Sequence, residues 1–210
     1  MIGGEVGGSQ RAPVAPQDLD AVTIDAYGTL VELHDPVGSL LRALPGFSRD
    51  AVEHAFRVES AHYVERSHIG RDAASLARLR DECATVFNRA LGSSLTGEQF
   101  VAALQFRFVG GAIEAIERLR ARGLALAVAS NWDISLVERL RSLGLPVATS
   151  AEAGAPKPDT AVFRLALERL GVRPERALHV GDSSADEEGA HAAGLRFAPA
   201  PLAELDSGWA

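Results

Sequence analysis

The sequence predicts an α/β protein, with a core built on a parallel sheet and a block of helices inserted into that core. Short apolar runs alternate with amphipathic helix patterns over the second half of the chain, which is typical of a parallel βαβ series. The run at 21–24 precedes this series, and residues 37–91 in between are almost wholly helical in character. Helices placed between two strand signals indicate an inserted cap.

The composition excludes several kinds of protein. With 210 residues, 47% of them hydrophobic, the chain can bury a substantial core. A net charge of −7 argues against a nucleic-acid-binding surface, and a single cysteine, Cys83, excludes an internal disulfide and a cysteine-cluster metal site. No apolar run approaches the roughly 20 residues needed to cross a membrane, and no signal peptide is indicated. We therefore expect a cytoplasmic protein, a monomer or homodimer, without nucleic-acid or membrane partners.

The segment 21–30, Ala-Val-Thr-Ile-Asp-Ala-Tyr-Gly-Thr-Leu, joins a short buried strand to a sharp turn. Its first half is apolar and β-branched, and Asp25 follows at the point where such a strand leaves the sheet. Gly28 permits the turn, and Thr29 places a hydroxyl group nearby. Ligands of open α/β sheets bind beyond the carboxyl ends of the strands. Asp25 is therefore a candidate functional residue, although an Asp here can also serve as a helix cap or turn residue.

The predicted cap follows this motif directly. Residues of one helical face recur with the spacing of Val52, Ala55, Phe56 and Glu59, and the Pro45-Gly46 pair marks a break between helices. The predicted domains are a flexible N-terminal lead at 1–18, an α/β core at 19–34 and 109–210, and a helical cap at 35–108.

After the cap, strand and helix patterns alternate again. The predicted elements are a helix at 112–122, a strand at 124–129, a helix from Asp133 to Leu143, a strand at 147–149, a helix at 160–170, a strand at 177–180, a helix to Ala193 and a strand at 195–198. The apolar runs are continuous rather than alternating, as expected for strands buried on both faces.

Polar groups follow the strands in four loops of this series. They are Asp25 with Thr29, Ser130 with Asn131, Lys157, and Asp182 with Asp186. Each residue alone is more commonly a cap, a turn residue or a solvated lysine. Because the carboxyl ends of parallel strands meet at one edge of a sheet, however, the four loops together predict a single pocket.

These four segments resemble, in order, the four motifs of the haloacid dehalogenase superfamily of hydrolases. The resemblance covers residues 21–198 and implies a Rossmann-like core with a helical cap after the first motif. Asp25 corresponds to the nucleophile, Ser130 to the hydroxyl residue of the second motif, and Lys157 to the lysine of the third. The sequence Gly181-Asp-Ser-Ser-Ala-Asp186 fits a form of the acidic fourth motif.

The chemistry of such a pocket is consistent with the resemblance. A carboxylate attacks an electron-poor centre, and water then opens the covalent intermediate. Lys157, Thr29 and Ser130, with Asn131 beside them, would hold a small anionic substrate that the nucleophile otherwise repels. A phosphate substrate also requires a hard cation, for which Mg²⁺ is suited. Its expected side-chain ligands are Asp25 and Asp182, with Asp186 either a direct ligand or a supporting residue behind them. The resemblance implies that the backbone carbonyl of Tyr27 is a further ligand.

Tyr27 departs from the phosphatase pattern of this superfamily. Phosphatases usually have a second Asp at this position, which protonates the leaving alcohol and later activates water. The segment Asp-Ala-Tyr-Gly-Thr-Leu looks more like the 2-haloacid dehalogenases, whose halide leaves unprotonated. Arg57 also lies near the place where those enzymes have a substrate-binding arginine, although an arginine on an amphipathic helix is usually only solvated.

The fourth motif favours the opposite conclusion. The metal-independent dehalogenases lack the acid at 182, and carboxylates placed beside Asp25 would repel one another without a cation. We therefore favour a Mg²⁺-dependent phosphatase acting on a small phosphorylated metabolite, with Tyr27 also contacting the substrate. The alternatives are a metal-independent 2-haloacid dehalogenase and a non-catalytic binding protein on the same scaffold.

Overall fold

The computed structural model describes residues 18–206 and 209. Five parallel strands form the central sheet in the order β5-β4-β1-β6-β7. These strands are β1 (Ala21–Ile24), β4 (Ala125–Ser130), β5 (Val147–Thr149), β6 (Ala177–Gly181) and β7 (Arg196–Pro199). The parallel α/β sheet predicted from the sequence is confirmed, and the first motif lies on its central strand.

The two faces of the sheet carry side chains of different size. Val22 and Ile24 point to the face that also contains Ile116, whereas Ala127 and Ala129 point to the opposite face. The helices of the core are α5 (Ala112–Ala121), α6 (Ser135–Arg139), α7 (Ser150–Ala153), α8 (Ala161–Leu170) and α9 (Ser184–Ala192). Small alanines on the second face allow α8 to pack closely, with Phe163 filling the space. The strands are therefore covered on both sides, as their unbroken apolar runs indicate.

The cap consists of four helices with an apolar cluster of their own. They are α1 (Pro36–Ala43), α2 (Arg49–Arg66), α3 (Ala73–Leu91) and α4 (Gly97–Ala103). Leu40, Val52, Phe87 and Phe100 are buried together, and the Phe87 and Phe100 ring centroids lie 4.9 Å apart. Side-chain caps define where α3 and α4 begin, because Asp72 and Thr96 each close a capping box.

A two-stranded antiparallel ribbon joins cap and core. Its strands are β2 (Val31–Leu33) and β3 (Phe106–Phe108), held also by an ion pair between Arg107 and Glu32 of 2.7 Å. The strand β3 lies inside the segment predicted to be helical cap and was not recognised, because three residues are too few to show a period. The domain bounds themselves stay a prediction. The predicted lead at 1–18 falls outside the described residues, except for residue 18.

Most predicted elements of the core agree with the structure to within one or two residues. The helix expected to run from Asp133 to Leu143 differs, because α6 ends at Arg139 and a separate 3₁₀ turn follows at Arg141–Leu143. Leu136 and Leu140 are fully buried, and the tighter turn brings Leu143 against the same cluster before the chain enters β5. No helix within 18–206 is long and apolar enough to cross a membrane.

Candidate active site

The predicted loops meet at the carboxyl edge of the sheet, around one cavity of about 380 Å³. Asp25 directly follows β1, and its backbone N–H donates to the Val180 carbonyl at 2.8 Å. This bond fixes the carboxylate next to the end of β6. Asp25, Tyr27, Ser130, Asn131, Lys157, Asp182 and Asp186 all line the cavity.

Lys157 is the only lysine in the sequence, and it is almost completely buried. Its ammonium donates to Asp25 Oδ1 and Asp186 Oδ1, each at 2.5 Å, and to the Ala129 carbonyl at 2.9 Å. Burial alone would lower the pKa of Lys157, but Asp25 and Asp186 raise it above its usual value. The lysine is therefore a fixed positive charge between two carboxylates.

Asn131 holds the backbone of the lysine from both sides. The Lys157 N–H donates to Asn131 Oδ1 at 2.6 Å, and Asn131 Nδ2 donates to the Lys157 carbonyl at 3.1 Å. We predicted a catalytic role for Asn131, and these contacts support a positioning role. The loop after β4 thus orients the lysine of a loop that is 26 residues further along the chain.

Three carboxylates cluster beside the lysine. Oxygen atoms of Asp25, Asp182 and Asp186 all lie within 4.8 Å of one another. Two glycines allow this approach, because a Cβ at Gly28 would collide with Asp182 and a Cβ at Gly181 would collide with Asp186. Gly28 also has φ 77°, which side chains disfavour. Oxygen donors this close together are the kind of site that a hard divalent cation such as Mg²⁺ occupies.

The electrostatics of the cluster also fit a cation. Burial raises the pKa of Asp25, an effect that Lys157 only partly opposes. Burial, and then the charge of Asp186, raise the pKa of Asp182. Burial would raise the pKa of Asp186 too, but His179 and Lys157 bring it well below its usual value. One lysine therefore faces more negative charge than it can compensate.

Both oxygens of Asp186 are already engaged within the protein. Oδ1 contacts Lys157 and, at 3.0 Å, His179 Nε2. Oδ2 accepts from the Ser183 N–H at 3.1 Å and from its hydroxyl at 2.6 Å, which closes the capping box of α9. Asp25 uses only Oδ1 in this way, so Asp25 and Asp182 have the freer oxygens. Asp186 thus fits a supporting position better than a direct ligand position.

His179 belongs to the site and was missed by sequence reasoning. It is fully buried in β6, where Thr23 Oγ1 lies 3.0 Å from Nδ1 while Nε2 faces Asp186. Burial lowers its pKa, so the ring is neutral at pH 7. The available signal was a polar residue in the middle of an otherwise apolar strand.

Two predicted residues do not reach the cavity. The Thr29 hydroxyl is buried without a hydrogen-bond partner, but Thr29 is not part of the cavity lining. Arg57 is exposed on α2, so the geometry does not support its predicted substrate contact. Successive helical residues are about 100° apart, and it is Phe56 that faces inward.

The upper wall of the cavity comes from the cap and is mainly apolar. The apolar and aromatic residues in the lining include Leu33, Phe56, Tyr63, Leu79, Phe100, Leu104, Phe106 and Trp132. Tyr63 also closes the cap onto the core, because its hydroxyl donates to Asp133 Oδ2 at 2.8 Å. Arg80 and Arg139 line the cavity as well, with the Arg139 guanidinium 3.9 Å from the centroid of the Phe106 ring.

Comparison with known proteins identifies the class. Residues 19–194 match the model of a family described as haloacid dehalogenase-like hydrolase. The chain is therefore a hydrolase with a capped α/β fold. It belongs to the haloacid dehalogenase-like hydrolases, which confirms the resemblance seen in its four motifs.

The names of the individual relatives refer to more than one kind of reaction. The chain is 35% identical to haloacid dehalogenase-like hydrolase domain-containing protein 3 of Mus musculus, over 89% of this chain and 84% of the mouse protein. It is 27% identical to (S)-2-haloacid dehalogenase H-109 of Pseudomonas putida, over 83% and 82% of the two chains. The structure of a HAD phosphatase from Thermococcus onnurineus shares the fold, with a TM-score of 0.57 and 23% identity over 90% and 97%.

Proposed function

We propose that this hydrolase is a Mg²⁺-dependent phosphatase acting on small phosphate esters. The observation that carries the proposal is the cluster of Asp25, Asp182 and Asp186, whose oxygens lie within 4.8 Å of one another. A lysine alone leaves this cluster with excess negative charge. Mg²⁺ held by Asp25 and Asp182, with Asp186 behind them, would compensate that charge and help to bind the phosphate.

The residues at the floor of the cavity have distinct parts in this reaction. We use this name for Asp25, Ser130, Lys157, Asp182 and Asp186, at the carboxyl edge of the sheet. Asp25 attacks phosphorus through a carboxylate oxygen, the bond to the ester oxygen breaks, and an aspartyl phosphate forms. Water then attacks phosphorus, the bond to Asp25 breaks, and inorganic phosphate leaves. Lys157 and the Ser130 hydroxyl are placed to stabilise the phosphoryl oxygens. Because Tyr27 replaces the usual acid, esters whose alcohol leaves readily without a proton should react fastest.

A second candidate function is 2-haloacid dehalogenation without metal. The observation favouring it is Tyr27, since halide needs no proton when it leaves. The similarity to the Pseudomonas putida dehalogenase agrees with this alternative. The exposed position of Arg57 removes the arginine that we expected to bind the substrate carboxylate, and Arg80 and Arg139 are the arginines that line the cavity instead. A non-catalytic binding protein would turn over neither substrate.

A two-substrate assay separates these functions. We expect para-nitrophenyl phosphate to be hydrolysed with Mg²⁺ and not after chelation, and 2-chloropropionate to release no chloride. Asp182→Asn should reduce phosphate release by at least the roughly 10-fold to 100-fold lost when supporting residues of metal sites change. Glu188→Gln, an exposed change on α9, is the matched control. Chloride release without metal would overturn the proposal, and inactivity on both substrates would favour the binding protein.

A further inference from the structure

The cap side of the cavity contains a buried acid that the proposed reaction does not use. Glu59 lies on α2, one helical turn before Tyr63, and only 4% of it is exposed. It lines the same cavity as Asp25 but from the cap side. The neighbours of Glu59 on its helix face, Val52 and Ala55, are completely buried and apolar. A glutamate at this position is therefore an exception to the pattern of its own helix.

Glu59 has no positively charged partner. Within residues 18–206, no lysine, arginine or histidine forms an ion pair with it. Its neighbour is the buried thiol of Cys83 on α3, a weak hydrogen-bond donor. Arg80 and Arg139 line the same cavity, but neither forms an ion pair with Glu59, and Arg139 lies over the ring of Phe106.

A buried carboxyl group with such a weak partner is costly for the fold. Burial raises the pKa of Glu59 to about 7, so the free protein contains both protonated and ionised forms near neutrality. An apolar residue at this position would remove the penalty, as Val52 and Ala55 illustrate on the same face. A ligand cation brought to Glu59 would remove the penalty as well.

We propose that Glu59 binds a protonated amine carried by the leaving group of the phosphate ester. This inference rests on the proposed phosphatase function, and it names the class of substrate. The phosphate would lie on the floor between Lys157 and the acid cluster, and the amine would lie under the cap at Glu59. The two ends of the substrate then carry opposite charges, matched to opposite charges of the protein.

The space between the two ends defines the body of the substrate. Phe56, Phe100, Phe106 and Trp132 line the same cavity, and their rings suit an apolar or aromatic group. The volume of about 380 Å³ is in the usual range for small-molecule sites. An arylalkylamine esterified through a phenolic oxygen fits this description. A phenolate also leaves without a proton more readily than an alkoxide, which fits the absence of an acid at Tyr27.

Three esters of similar shape test the inference. They are the para-aminoethyl, para-hydroxyethyl and para-propyl derivatives of phenyl phosphate, with one cationic, one neutral polar and one apolar end. We expect the kcat/KM of the amine ester to exceed that of the propyl ester by at least about tenfold in the unmodified protein. Glu59→Gln should remove most of this ratio. Glu53→Gln, an exposed change on the same helix, should retain it.

The possible results have separate meanings. If all three esters are hydrolysed equally, the inference is wrong while the phosphatase function stands. A preference for the hydroxyl ester over the amine would likewise contradict it, because Glu59 would then recognise a neutral donor.

If no ester is hydrolysed, the proposed function fails and calorimetry decides the inference. The free phenol para-(aminoethyl)phenol should bind to the unmodified protein and to Glu53→Gln, and at least about tenfold more weakly to Glu59→Gln. Equal binding of this phenol to the unmodified protein and to both variants would overturn the inference.

Discussion

The floor and the cap wall of the cavity treat buried charge in opposite ways. On the floor, Lys157 contacts two carboxylates and Asp186 contacts three residues, so both of these charges are held by several neighbours. On the wall, Glu59 has only the thiol of Cys83. Loops from four parallel strands assemble the floor, whereas the wall comes from several helices of the cap, with Glu59 on α2. In the proposed phosphatase, the floor would carry out the reaction and the wall would select the substrate.

Of the changes to the floor and the wall, removal of the nucleophile should have the largest effect on hydrolysis. Asp25→Asn preserves the size of the side chain but removes its nucleophilic charge, so we expect hydrolysis to fall by roughly 10⁴-fold or more. Steady-state kinetics on para-nitrophenyl phosphate would measure the loss, and circular dichroism would verify the fold. Glu188→Gln serves again as the exposed control. Retained turnover would remove Asp25 from the mechanism.

Removal of the lysine tests how strongly the floor depends on its partners. Lys157→Met leaves Asp25 and Asp186 buried beside each other without their cation, which should lower the free energy of unfolding by about 3–5 kcal/mol. Urea unfolding of the metal-free protein would measure this. Arg164→Met, on the exposed face of α8, should change stability by less than about 0.5 kcal/mol. Equal stability of the two variants would contradict the arrangement described for the floor.

The wall should make stability depend on pH through Glu59. Because the pKa of Glu59 rises from 4.5 in the unfolded chain to about 7 in the fold, the native state binds more protons between these values. Its contribution to stability is therefore largest below pH 4.5 and is lost as the pH rises through 7. Glu59→Gln should match the unmodified protein near pH 4.5 and exceed it by up to about 3 kcal/mol at pH 8.

Thermal unfolding of both proteins across this range would measure the difference. Cys83 is the titratable group beside Glu59, and because burial raises the pKa of its thiol above its usual value, it stays protonated throughout this range. Glu53→Gln should follow the unmodified protein at every pH, since Glu53 is exposed. A constant difference between Glu59→Gln and the unmodified protein from pH 4.5 to 8 would show that the carboxyl group does not titrate as described.

An acid added to the floor should have the smallest effect. Tyr27→Asp restores the acid that phosphatases of this family carry, a role worth about 10² to 10⁴-fold when fully supported. Without supporting residues around it, we expect a gain of about tenfold, and the gain should be larger for esters with poor leaving groups. Rates measured over phenols of different pKa would show this dependence. Tyr27→Phe is the control, and an equal gain in that variant would rule out acid catalysis.

The local sequence determined most of the fold and much of the floor. Continuous hydrophobicity was enough to predict the strands β1, β4 and β6. The polar residues after these strands were expected to lie together because parallel strands end at one edge of the sheet. Asp25, Ser130, Lys157 and Asp182 could be identified on this basis. The acid at 186 was also visible, although its part in the helix cap required the contacts.

Only the tertiary structure decided which side of α2 faces the cavity. The spacing of Val52, Ala55, Phe56 and Glu59 indicates one helical face without Arg57, but periodicity alone cannot show whether that face meets the cavity or only the core of the cap. Burial of Val52 and Ala55 against the cap cluster sets the rotation of the helix about its axis, and it places Glu59 in the cavity while Arg57 stays in solvent. The contacts of His179 and Asn131 were hidden for the same reason. They join residues distant in sequence, and packing of the whole chain determines such pairs.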